Sequence, residues 1–457
     1  MVKKLGKRGR RGALLVPVVL MACGSEAVDE ATTCSVEERT GCDAGLVCEN
    51  VVGGEPACFA PVLVKGNVSS TADGSPIEGA HVVARDANDV AISGVAVTNA
   101  DGDYELAVPS DRKADGTPVG KDITLRADAL GFLTFPRAPR VALPIDLGTA
   151  TGDPATVQSV ATDIAIIPFD DVSSLGSVSG RVLAERPGGT LVVAGDESAV
   201  ADFDGNYTVF NVPAGDVRVR GFLSGVQLDA PSAVVPAGEG VSGVDLNVIG
   251  EAVATVSGTL SIVNAPGGSA TSVILAVEET FVESVARGEV PPGLRAADVS
   301  GAWSIGDVPD GRYVVLAAFE NDDLVRDPDT SIGGTEIQRI EVDGANVSVD
   351  GFKVTGALAV VSPGASSAEG VSRAPTFVWE DDSSENAYLV EVYDALGDLV
   401  WETSGNFDPG GNADARVTYA GPSLEPGMFY QFRATSLNAD GVPLSRTEDL
   451  KGVFFVE

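Results

Sequence analysis

Hydrophobic and polar residues alternate in short runs along most of the chain, and Gly, Pro, Asp or Asn separates each run from the next. A period of two is typical of strands that bury one face, and the separating residues are typical of tight turns. One phrase of this kind occurs three times, at 99–109, 202–215 and 298–311. Copies roughly 100 residues apart indicate an array of similar modules. The expected fold class is all-β, with tandem β-sandwich modules.

The repeated phrase combines a turn with a strand. Gly102 and Gly205 follow Asp, and Gly301 follows Ser. Glycine tolerates the positive φ that a tight hairpin requires, so turns are expected at these positions. An aromatic residue stands two positions after each glycine: Tyr104, Tyr207 and Trp303. The alternation predicts a strand with one buried face, and the Val-Pro that follows ends it because Pro offers no N–H to a neighbouring strand.

Each module opens with a strand that carries a glycine between apolar residues, at Gly66, Gly180 and Gly258. Glycine inside a strand indicates a β-bulge or a close backbone contact. The chain, at 457 residues, is too long for one core, and about three to five domains are expected. The predicted segments are a signal peptide at 1–22, a lipid-anchored Cys-rich segment at 23–60, and β-sandwiches at 61–172, 173–250, 251–356 and 357–457.

Composition narrows the class of protein. Gly and Pro are frequent, but 44% hydrophobic residues leave enough apolar surface to bury, so a folded chain is expected. The formal net charge of −36 excludes nucleic acid as a partner, because phosphates require Lys and Arg. Acidity of this size favours the solubility of an exported protein over a role as a bulk sink for cations.

The N-terminus predicts export. Six Lys and Arg residues lie within 3–11, and the apolar run 13–20 that follows is too short to span a bilayer permanently. The next residues, Leu20-Met21-Ala22-Cys23, resemble the lipobox of bacterial lipoproteins. The resemblance implies that the signal peptide is cut before Cys23, and that Cys23 is acylated on its sulfur and on its new amine. Acyl chains of this number would anchor the protein firmly to a membrane.

The location expected from the same resemblance is the outer membrane, with the protein facing the periplasm or the cell surface. Position 24 is Gly and not the Asp that signals retention in the inner membrane in this family. An ordinary signal peptide followed by a chance cysteine is the alternative interpretation.

Four further cysteines fall in the short segment after Cys23: Cys34, Cys42, Cys48 and Cys58. An even number clustered in an exported chain predicts two disulfides, with three possible connectivities. A zinc knuckle is disfavoured, because the segment has no CxxC pair and His81, the only histidine, lies outside it. The segment has too few apolar residues for a core, so the bridges are expected to hold it together. It would serve as a rigid collar above the lipid or as a small binding head.

The first β-sandwich contains residues that resemble a known family. The pattern Gly-x-Pro-Ile-x-Gly-Ala-x-Val at 74–82, followed by Thr-x-x-Asp-Gly-x-Tyr at 98–104, is similar to the carboxypeptidase regulatory-like domain. The resemblance implies a transthyretin-like sandwich of seven strands and no catalytic residues. The second module lacks the Pro-Ile segment, and the third has lost the Asp residues beside its turn. In the first module an insertion, 110–120, replaces the short turn after Pro109.

The C-terminal segment 357–457 resembles a fibronectin type III domain. It contains Leu424-x-Pro426-Gly427 shortly before Tyr430, and that resemblance implies a tyrosine corner at Tyr430 and a core position for Trp379. Core packing is the favoured role of all three Trp residues. A surface platform that stacks on sugars stays open for Trp401 or Trp303.

The acidic turns raise the question of calcium. Asn99, Asp101 and Asp103 alternate like the first ligands of an EF-hand loop, and so do Asp202, Asp204 and Asn206. The glycine then stands at the fourth position of the loop and not at the sixth, and the twelfth position is not Glu. A plain hairpin turn is therefore favoured, and weak calcium binding is the alternative. We expect no metal site and no cofactor.

No residue is nominated as catalytic. His81 is predicted to lie in a strand, and the chain has neither H-E-x-x-H nor a phosphate-binding loop. The acidic pairs Asp170-Asp171 and Asp381-Asp382 fall in linker-like or turn-like segments, where solvated surface is expected.

The function expected from the sequence is that of a non-catalytic cell-envelope lipoprotein. It would present a rod of β-sandwich domains for protein interaction or envelope structure. The alternative is a carbohydrate-binding surface lipoprotein, because the transthyretin-like sandwich resembles starch-binding domains in shape. A hydrolase that works without histidine is disfavoured by the missing motifs. Fold alone does not distinguish these three functions, and the sequence names no individual partner protein or polysaccharide.

Overall fold

A computed structural model describes residues 34–36, 39–137, 142–283, 286–317, 322–326, 337–382, 385–394, 398–407, 414–426 and 428–457. The predicted signal peptide and Cys23 lie outside these residues. The described residues form strands and a few single turns of 3-10 helix, so the all-β prediction is confirmed. Among them, no helix has the length and hydropathy that a bilayer crossing requires.

The Cys-rich segment is a hairpin held by two disulfides. Its strands are β1 (Val47–Glu49) and β2 (Ala57–Phe59), with Cys48 directly opposite Cys58. Cys34 is bonded to Cys48, and Cys42 is bonded to Cys58. The prediction of two disulfides is confirmed, and the connectivity is the interlaced one of the three that were open.

The first module is a sandwich of two sheets. Its strands are β3 (Val62–Ser70), β4 (His81–Arg85), β5 (Ala96–Val97), β6 (Asp103–Val108), β7 (Asp122–Asp128), β8 (Ile145–Asp146), β9 (Thr156–Val157) and β10 (Ile164–Ile166). Turns of 3-10 helix occupy Leu147–Thr149 and Val160–Thr162. One sheet has the order β10-β3-β6 with β9 also on β3, and the other has the order β5-β4-β7-β8. The resemblance implied seven strands; the described residues of this module form eight, of which three have two residues.

The second module repeats this plan. Its strands are β11 (Leu175–Leu183), β12 (Leu191–Ala194), β13 (Glu197–Val200), β14 (Asn206–Pro213), β15 (Gly215–Phe222), β16 (Val226–Leu228), β17 (Ser232–Val235), β18 (Gly240–Val241) and β19 (Leu246–Glu251). The sheets have the orders β14-β11-β19-β16, with β18 on β11, and β13-β12-β15-β17. The strand of the repeated phrase, β14, ends on Pro213 itself.

The third module has the same topology as the second. Its strands are β20 (Ala254–Val263), β21 (Thr271–Val277), β22 (Arg295–Val299), β23 (Ala302–Val308), β24 (Gly311–Ala317), β25 (Leu324–Arg326), β26 (Gln338–Val342), β27 (Val347–Ser348) and β28 (Phe352–Gly356). The sheets have the orders β23-β20-β28-β25, with β27 on β20, and β22-β21-β24-β26. A 3-10 turn at Glu278–Thr280 follows β21. In all three modules the opening strand pairs antiparallel with the strand of the repeated phrase and parallel with the last strand.

The fourth module differs in topology. Its strands are β29 (Val360–Ser362), β30 (Glu369–Val371), β31 (Thr376–Trp379), β32 (Ala387–Asp394), β33 (Leu399–Gly405), β34 (Ala415–Thr418), β35 (Phe429–Leu437), β36 (Pro443–Arg446) and β37 (Val453–Val456). The sheets have the orders β29-β31-β34 and β30-β37-β35-β32-β33, with β36 on β35. Trp379 is fully buried, and the hydroxyl of Tyr430 accepts a hydrogen bond from the backbone N–H of Glu425 at 2.9 Å. This is the contact expected of a tyrosine corner.

The turns of the repeated phrase follow the prediction in two copies and depart from it in the third. Gly102 and Gly205 have φ values of 77° and 86°. In the third copy Asp298 takes the left-handed conformation, with φ of 54°, and Gly301 does not. The chain passes from β22 to β23 at Gly301 as predicted, but the positive φ expected of this glycine is wrong, because the left-handed residue lies within β22, where the pairing with β21 shifts register.

The opening glycines make close contacts. A Cβ on Gly66 would lie 2.1 Å from the carbonyl oxygen of Thr162, and a Cβ on Gly180 would lie equally close to that of Val244. A Cβ on Gly258 would lie 2.7 Å from the Trp303 ring. Of the two interpretations of these glycines, close contact is the one observed, because the irregularities of β11 and β20 fall nearer the starts of the strands.

The modules touch beyond their neighbours in sequence. Nη2 of Arg85 in the first module lies 2.5 Å from Oε2 of Glu289 in the third. Arg287 of the third module pairs with Asp449 of the fourth at 2.6 Å and with Asp89 of the first at 3.2 Å. The prediction of a rod, in which only consecutive modules would touch, is wrong. The modules gather around a shared interior instead.

Candidate functional site: a cleft between four modules

A cleft of about 440 Å³ lies where the four modules meet. Every module contributes to its lining, the first through β4 and β7 and the third through the segment after β21. Ligand sites in multidomain proteins occur preferentially at such interfaces, and this volume falls within their usual range. We take this central cleft as the candidate functional site.

Strand β7 supplies one wall of the central cleft. Its apolar residues face the interior of the first module: Ile123, Leu125 and Ala127. The alternate residues Thr124, Arg126 and Asp128 therefore point out of that module, yet they are buried too, because the other modules cover them. The Arg126 guanidinium forms a bidentate pair with Asp128, with distances of 2.7 Å and 2.9 Å.

Glu289 joins the first and third modules. Its Oε2 lies 2.5 Å from Nη2 of Arg85 and 2.8 Å from Nη1 of Arg126. Burial alone would raise the pKa of Glu289, but the guanidinium groups of Arg126 and Arg85 outweigh it and hold the pKa below its usual value. Glu289 is therefore a carboxylate at neutral pH.

The second module reaches the central cleft through the hairpin of β12 and β13. The backbone carbonyl of Ser198 accepts a hydrogen bond from Nη2 of Arg126 at 2.6 Å, and Glu197 pairs with Arg137 at 3.0 Å. Burial raises the pKa of Glu197 despite the opposing effect of Arg137. These contacts fix the second module against the first.

The fourth module contributes Asp449 and Arg433. Asp449 lies 2.6 Å from Nη2 of Arg287 and 3.5 Å from Nη1 of Arg433. Burial would raise its pKa, but Arg433 and Arg287 hold the pKa well below the usual range. On the other side of Arg287, burial raises the pKa of Asp89 more than Arg287 lowers it.

The lining of the central cleft is nearly neutral in a strongly acidic chain. It contains five arginines (Arg85, Arg126, Arg137, Arg287 and Arg433) and six acidic residues (Asp89, Asp196, Glu197, Glu279, Glu289 and Asp449). Apolar surface comes from Pro136, Ala142, Phe281, Val282 and Leu450. Such a lining offers hydrogen bonds and apolar walls without a large net field.

Three lining residues carry a buried oxygen that makes no hydrogen bond, although that of Asp449 lies 3.5 Å from Nη1 of Arg433. The atoms are Oγ1 of Thr124, Oε2 of Glu279 and Oδ1 of Asp449. Buried polar atoms are nearly always bonded in native proteins, so unbonded ones that gather around one cleft indicate water or a ligand there.

The cysteines predicted as site residues lie away from the central cleft. Cys34, Cys42, Cys48 and Cys58 form the two disulfides of the Cys-rich segment, and Cys23 lies outside the described residues.

His81, the only histidine, begins β4 and is half-buried. Its ring centroid lies 5.0 Å from that of Phe210 in the second module, with the rings edge to face. Burial lowers the pKa of His81, although Asp128 and Asp202 oppose the shift. These contacts give His81 a packing role at the border of the first two modules.

The acidic turns use their side chains to bond their own backbone. Oδ1 of Asn99 accepts from the N–H groups of Asp101 and Asp103, at 2.9 Å and 3.0 Å. Oδ1 of Asp202 does the same for Asp204 and Asn206. A structural turn thus accounts for the pattern that resembled calcium ligands, since an Asx side chain favours this local bonding.

A turn with the same bonding lies outside the three repeated phrases and was not predicted. In the fourth module, Oδ1 of Asn438 accepts from the N–H groups of Asp440 and Val442, both at 2.9 Å, and Gly441 has φ of 75°. The signal was present, because Asn-Ala-Asp-Gly occurs both at 99–102 and at 438–441.

The second of the two acidic pairs is not solvated surface. Asp170 and Asp171 are exposed, as predicted. Asp381 accepts a hydrogen bond from the Tyr388 hydroxyl at 2.9 Å, and Asp382 is bonded to Ser436 at 2.8 Å. The prediction for the pair at 381–382 is wrong, because it packs over the end of a buried tyrosine.

The two Trp residues proposed as sugar platforms are packed against other rings. Trp303 is buried in the third module, with its ring 6.2 Å from Phe352. Trp401 is half-buried and lies 5.0 Å from Tyr419. A freely exposed stacking surface is therefore excluded for Trp303.

No protein-family model matches the chain, and no curated protein matches it. Among solved structures, it is similar to the TIE protein of Bacillus anthracis, with 12% identity over 86% of this chain and 72% of that one, at a TM-score of 0.17. The BcpA major pilin subunit of Bacillus cereus matches with 10% identity over 65% and 99%, at 0.15. A streptococcal ancillary pilin matches with 10% identity over 63% and 98%, at 0.17. TM-scores this low carry no argument, so function has to be inferred from the contacts themselves.

Proposed function

We propose that the protein is a non-catalytic, lipid-anchored envelope protein whose β-sandwich modules form one scaffold for binding other molecules. The observation that carries this proposal is the way the Cys-rich segment, which follows the lipobox directly, is docked onto the first module. A Cys-rich segment docked onto packed modules suits a protein that presents a surface close to a membrane.

The docking centres on a buried ion pair. Glu49 of β1 is 2% exposed, bonds Nε of Arg112, and accepts a hydrogen bond from the backbone N–H of Ser110 at 2.9 Å. Nη2 of Arg112 donates to the carbonyl of Ala60 at 2.6 Å. Ser110 and Arg112 belong to the insertion 110–120, so the insertion receives the Cys-rich segment. A buried pair satisfied on both sides is directional and fixes the orientation of its two elements.

The same segment touches the second module. The Arg39 guanidinium lies 4.2 Å from the centre of the Phe203 ring, in the turn of the second repeated phrase. A cation placed over an aromatic face at this distance is attracted to it. Contacts with two modules favour a collar over a separate binding head.

The test is acylation of the native chain in a bacterial host. Labelled palmitate should enter the wild type and be absent from Cys23→Ser. The double variant Cys34→Ser/Cys48→Ser is the matched control, because it removes two sulfurs and a disulfide but keeps the lipobox. It should still take up label. A wild type that takes up no label would overturn the anchoring part of the proposal.

A further inference from the structure

We propose that the central cleft binds a small neutral saccharide, held by hydroxyl groups of the sugar that donate to unbonded oxygens of the lining. This inference goes beyond the scaffold role and does not depend on the lipid anchor, because every contact it uses lies within the β-sandwich modules.

The unbonded atoms define the chemistry of the ligand. Thr124 and Glu279 each leave one buried oxygen without a hydrogen bond, and Oδ1 of Asp449 has only a long ionic contact, 3.5 Å from Nη1 of Arg433. All three oxygens accept hydrogen bonds, whereas the one donor of the lining that also lacks a hydrogen bond, Nη1 of Arg126, lies 2.8 Å from Glu289. A ligand that satisfies them must therefore be rich in donors. Water alone could also bond them, but the cleft holds about 440 Å³, which is far more than single waters require.

The charges of the lining exclude an ionic ligand. The other oxygen of Glu279 already pairs with Arg312 at 3.0 Å, and the other oxygen of Asp449 pairs with Arg287 at 2.6 Å. Arg126 is likewise neutralised by Asp128 and by Glu289. An ammonium or carboxylate ligand would lose its hydration without meeting an uncompensated charge, and this loss is costly. Hydroxyl groups donate without carrying charge.

The apolar part of the lining fits the carbon face of a sugar ring. Phe281 and Pro136 contribute surface to the cleft beside the polar groups. Sugar-binding surfaces need both components, because a pyranose ring has polar edges and an apolar face that packs on aromatic or aliphatic groups. The mixed lining therefore suits a saccharide better than an apolar compound.

The position of the cleft predicts a consequence of binding. Thr124 belongs to the first module, Glu279 to the third and Asp449 to the fourth. A ligand that bonds all three would bind the assembled modules and not the separated ones. Ligand binding should therefore raise the melting temperature of the whole chain, as linkage requires.

The experiment uses the mature chain with Cys23→Ser, which lacks the acylation site and keeps all four cysteines of the two disulfides. It is applied to an array of neutral mono- and disaccharides, with glucuronate (an anion) and choline (a cation) as charged comparators. Hits are measured by calorimetry and by thermal melting. We expect at least one neutral saccharide to bind and to raise the melting temperature. An array without a neutral hit, or binding of the charged comparators alone, overturns the proposal.

Thr124→Val tests the site itself. It removes an unbonded buried hydroxyl at nearly constant shape, so stability should be kept, while affinity for the hit should fall about tenfold or more. Thr124→Ser keeps the hydroxyl and should retain most of the affinity. Thr259→Val makes the same change on an exposed strand position of the third module and should change nothing.

A second variant does not depend on the buried strand. Asp196 is exposed at the rim of the cleft, so Asp196→Trp should obstruct entry and reduce affinity without affecting the fold. Affinity that is unchanged in both Thr124→Val and Asp196→Trp would place the sugar elsewhere and overturn the assignment of the site. The acylation experiment has a separate readout, so failure of either proposal can be distinguished from failure of the other.

Discussion

The third module is held to its neighbours by two unlike interfaces. Towards the second module the contact is mainly apolar: Leu191, Val193 and Phe222 belong to the same hydrophobic cluster as the core of the third module, and one ion pair, between Arg220 and Glu279, lies beside it. Towards the first module the contact contains buried ion pairs, in which Glu289 lies between Arg85 and Arg126. An apolar cluster that includes Val90 also lies between the third and first modules, so the two interfaces differ chiefly in how much charge they bury.

The two interfaces are expected to contribute differently to the stability of the protein and to the orientation of its modules. Burial of apolar surface is favourable and non-directional, so it stabilises the contact between the second and third modules without requiring one orientation. Buried charges must first lose their hydration, and they recover that cost only in good geometry. We therefore expect the apolar interface to supply net stability and the ionic one to fix how the first module sits on the third.

The largest effect is expected from Glu289→Ala. The change leaves the guanidinium groups of Arg85 and Arg126 buried without their shared partner, which should cost about 3–5 kcal/mol of unfolding free energy. Urea unfolding of the soluble chain measures it. Glu283→Ala is the control, because Glu283 of the same module is 67% exposed and its pair with Arg339 should contribute about 0–1 kcal/mol. Equal losses in the two variants would contradict a buried ionic interface.

Acid should abolish this difference. Because the pKa of Glu289 is lower in the folded chain than in the unfolded one, its contribution is fully present above the unfolded value of about 4.3. This contribution is lost as the pH falls through the folded pKa, because Glu289 is then protonated in the folded chain as well as in the unfolded one. The gap in stability between wild type and Glu289→Ala should therefore be constant from neutral pH to about 5 and shrink at lower pH. If the difference in unfolding free energy instead widened in acid, the pKa of Glu289 would be raised by folding and not lowered.

A somewhat smaller effect is expected from Phe222→Ala at the apolar interface. Phe222 is 1% exposed and packs edge to face on Tyr313, with ring centroids 5.9 Å apart. Its removal should cost about 3 kcal/mol, and the loss should be nearly independent of salt and pH. Phe203→Ala, at a position that is 44% exposed, should cost about 1 kcal/mol or less. A loss of stability at Phe222 that changes with ionic strength would contradict the assignment of this contact as apolar.

The smallest effect concerns the turns, which belong to neither interface and provide a baseline. Gly102→Ala should cost about 1–2 kcal/mol, because φ is 77° and a Cβ would lie 2.6 Å from the carbonyl of Val68. Gly301→Ala should be close to neutral, since Gly301 is not left-handed and no atom lies within 4 Å of its Cβ position. Thermal melts measure both. A cost at Gly301 equal to that at Gly102 would mean that conformation does not set the difference.

Local patterns predicted the strands and most turns of this fold. The alternation around Tyr104 placed that residue on a buried face, and the Asp-Gly pairs marked two of the three turns correctly. These features depend on a few adjacent residues, so the sequence contains them directly. The number of disulfides followed from the number of clustered cysteines. Their connectivity did not, because it depends on the three-dimensional path of the chain.

The central cleft could not be predicted in the same way. Strand β7 alternates as a strand with one face in solvent would, and nothing in its sequence says that another module covers Thr124 and Arg126. One signal did exist: β21 is apolar at nearly every position after its start, and its outward residues Ile274 and Ala276 form a second cluster with Val90 of the first module. A strand apolar on both faces indicates cover on both sides. The prediction of a rod did not take into account that a second module could cover the outer face of β21.

The interlaced disulfides have a mechanical consequence under the proposed anchoring. A pull between the membrane and the modules would have to pass through the residues between Cys34 and Cys58. Because Cys42 is bonded directly to Cys58, one covalent route contains only the stretch from Cys34 to Cys42 and one bridge. At about 3.5 Å per extended residue, that stretch lengthens to roughly 30 Å, about a third of the reach of the same segment without its bridges. The tether would therefore resist extension, and tension on the anchor would load the contact between Glu49 and Arg112.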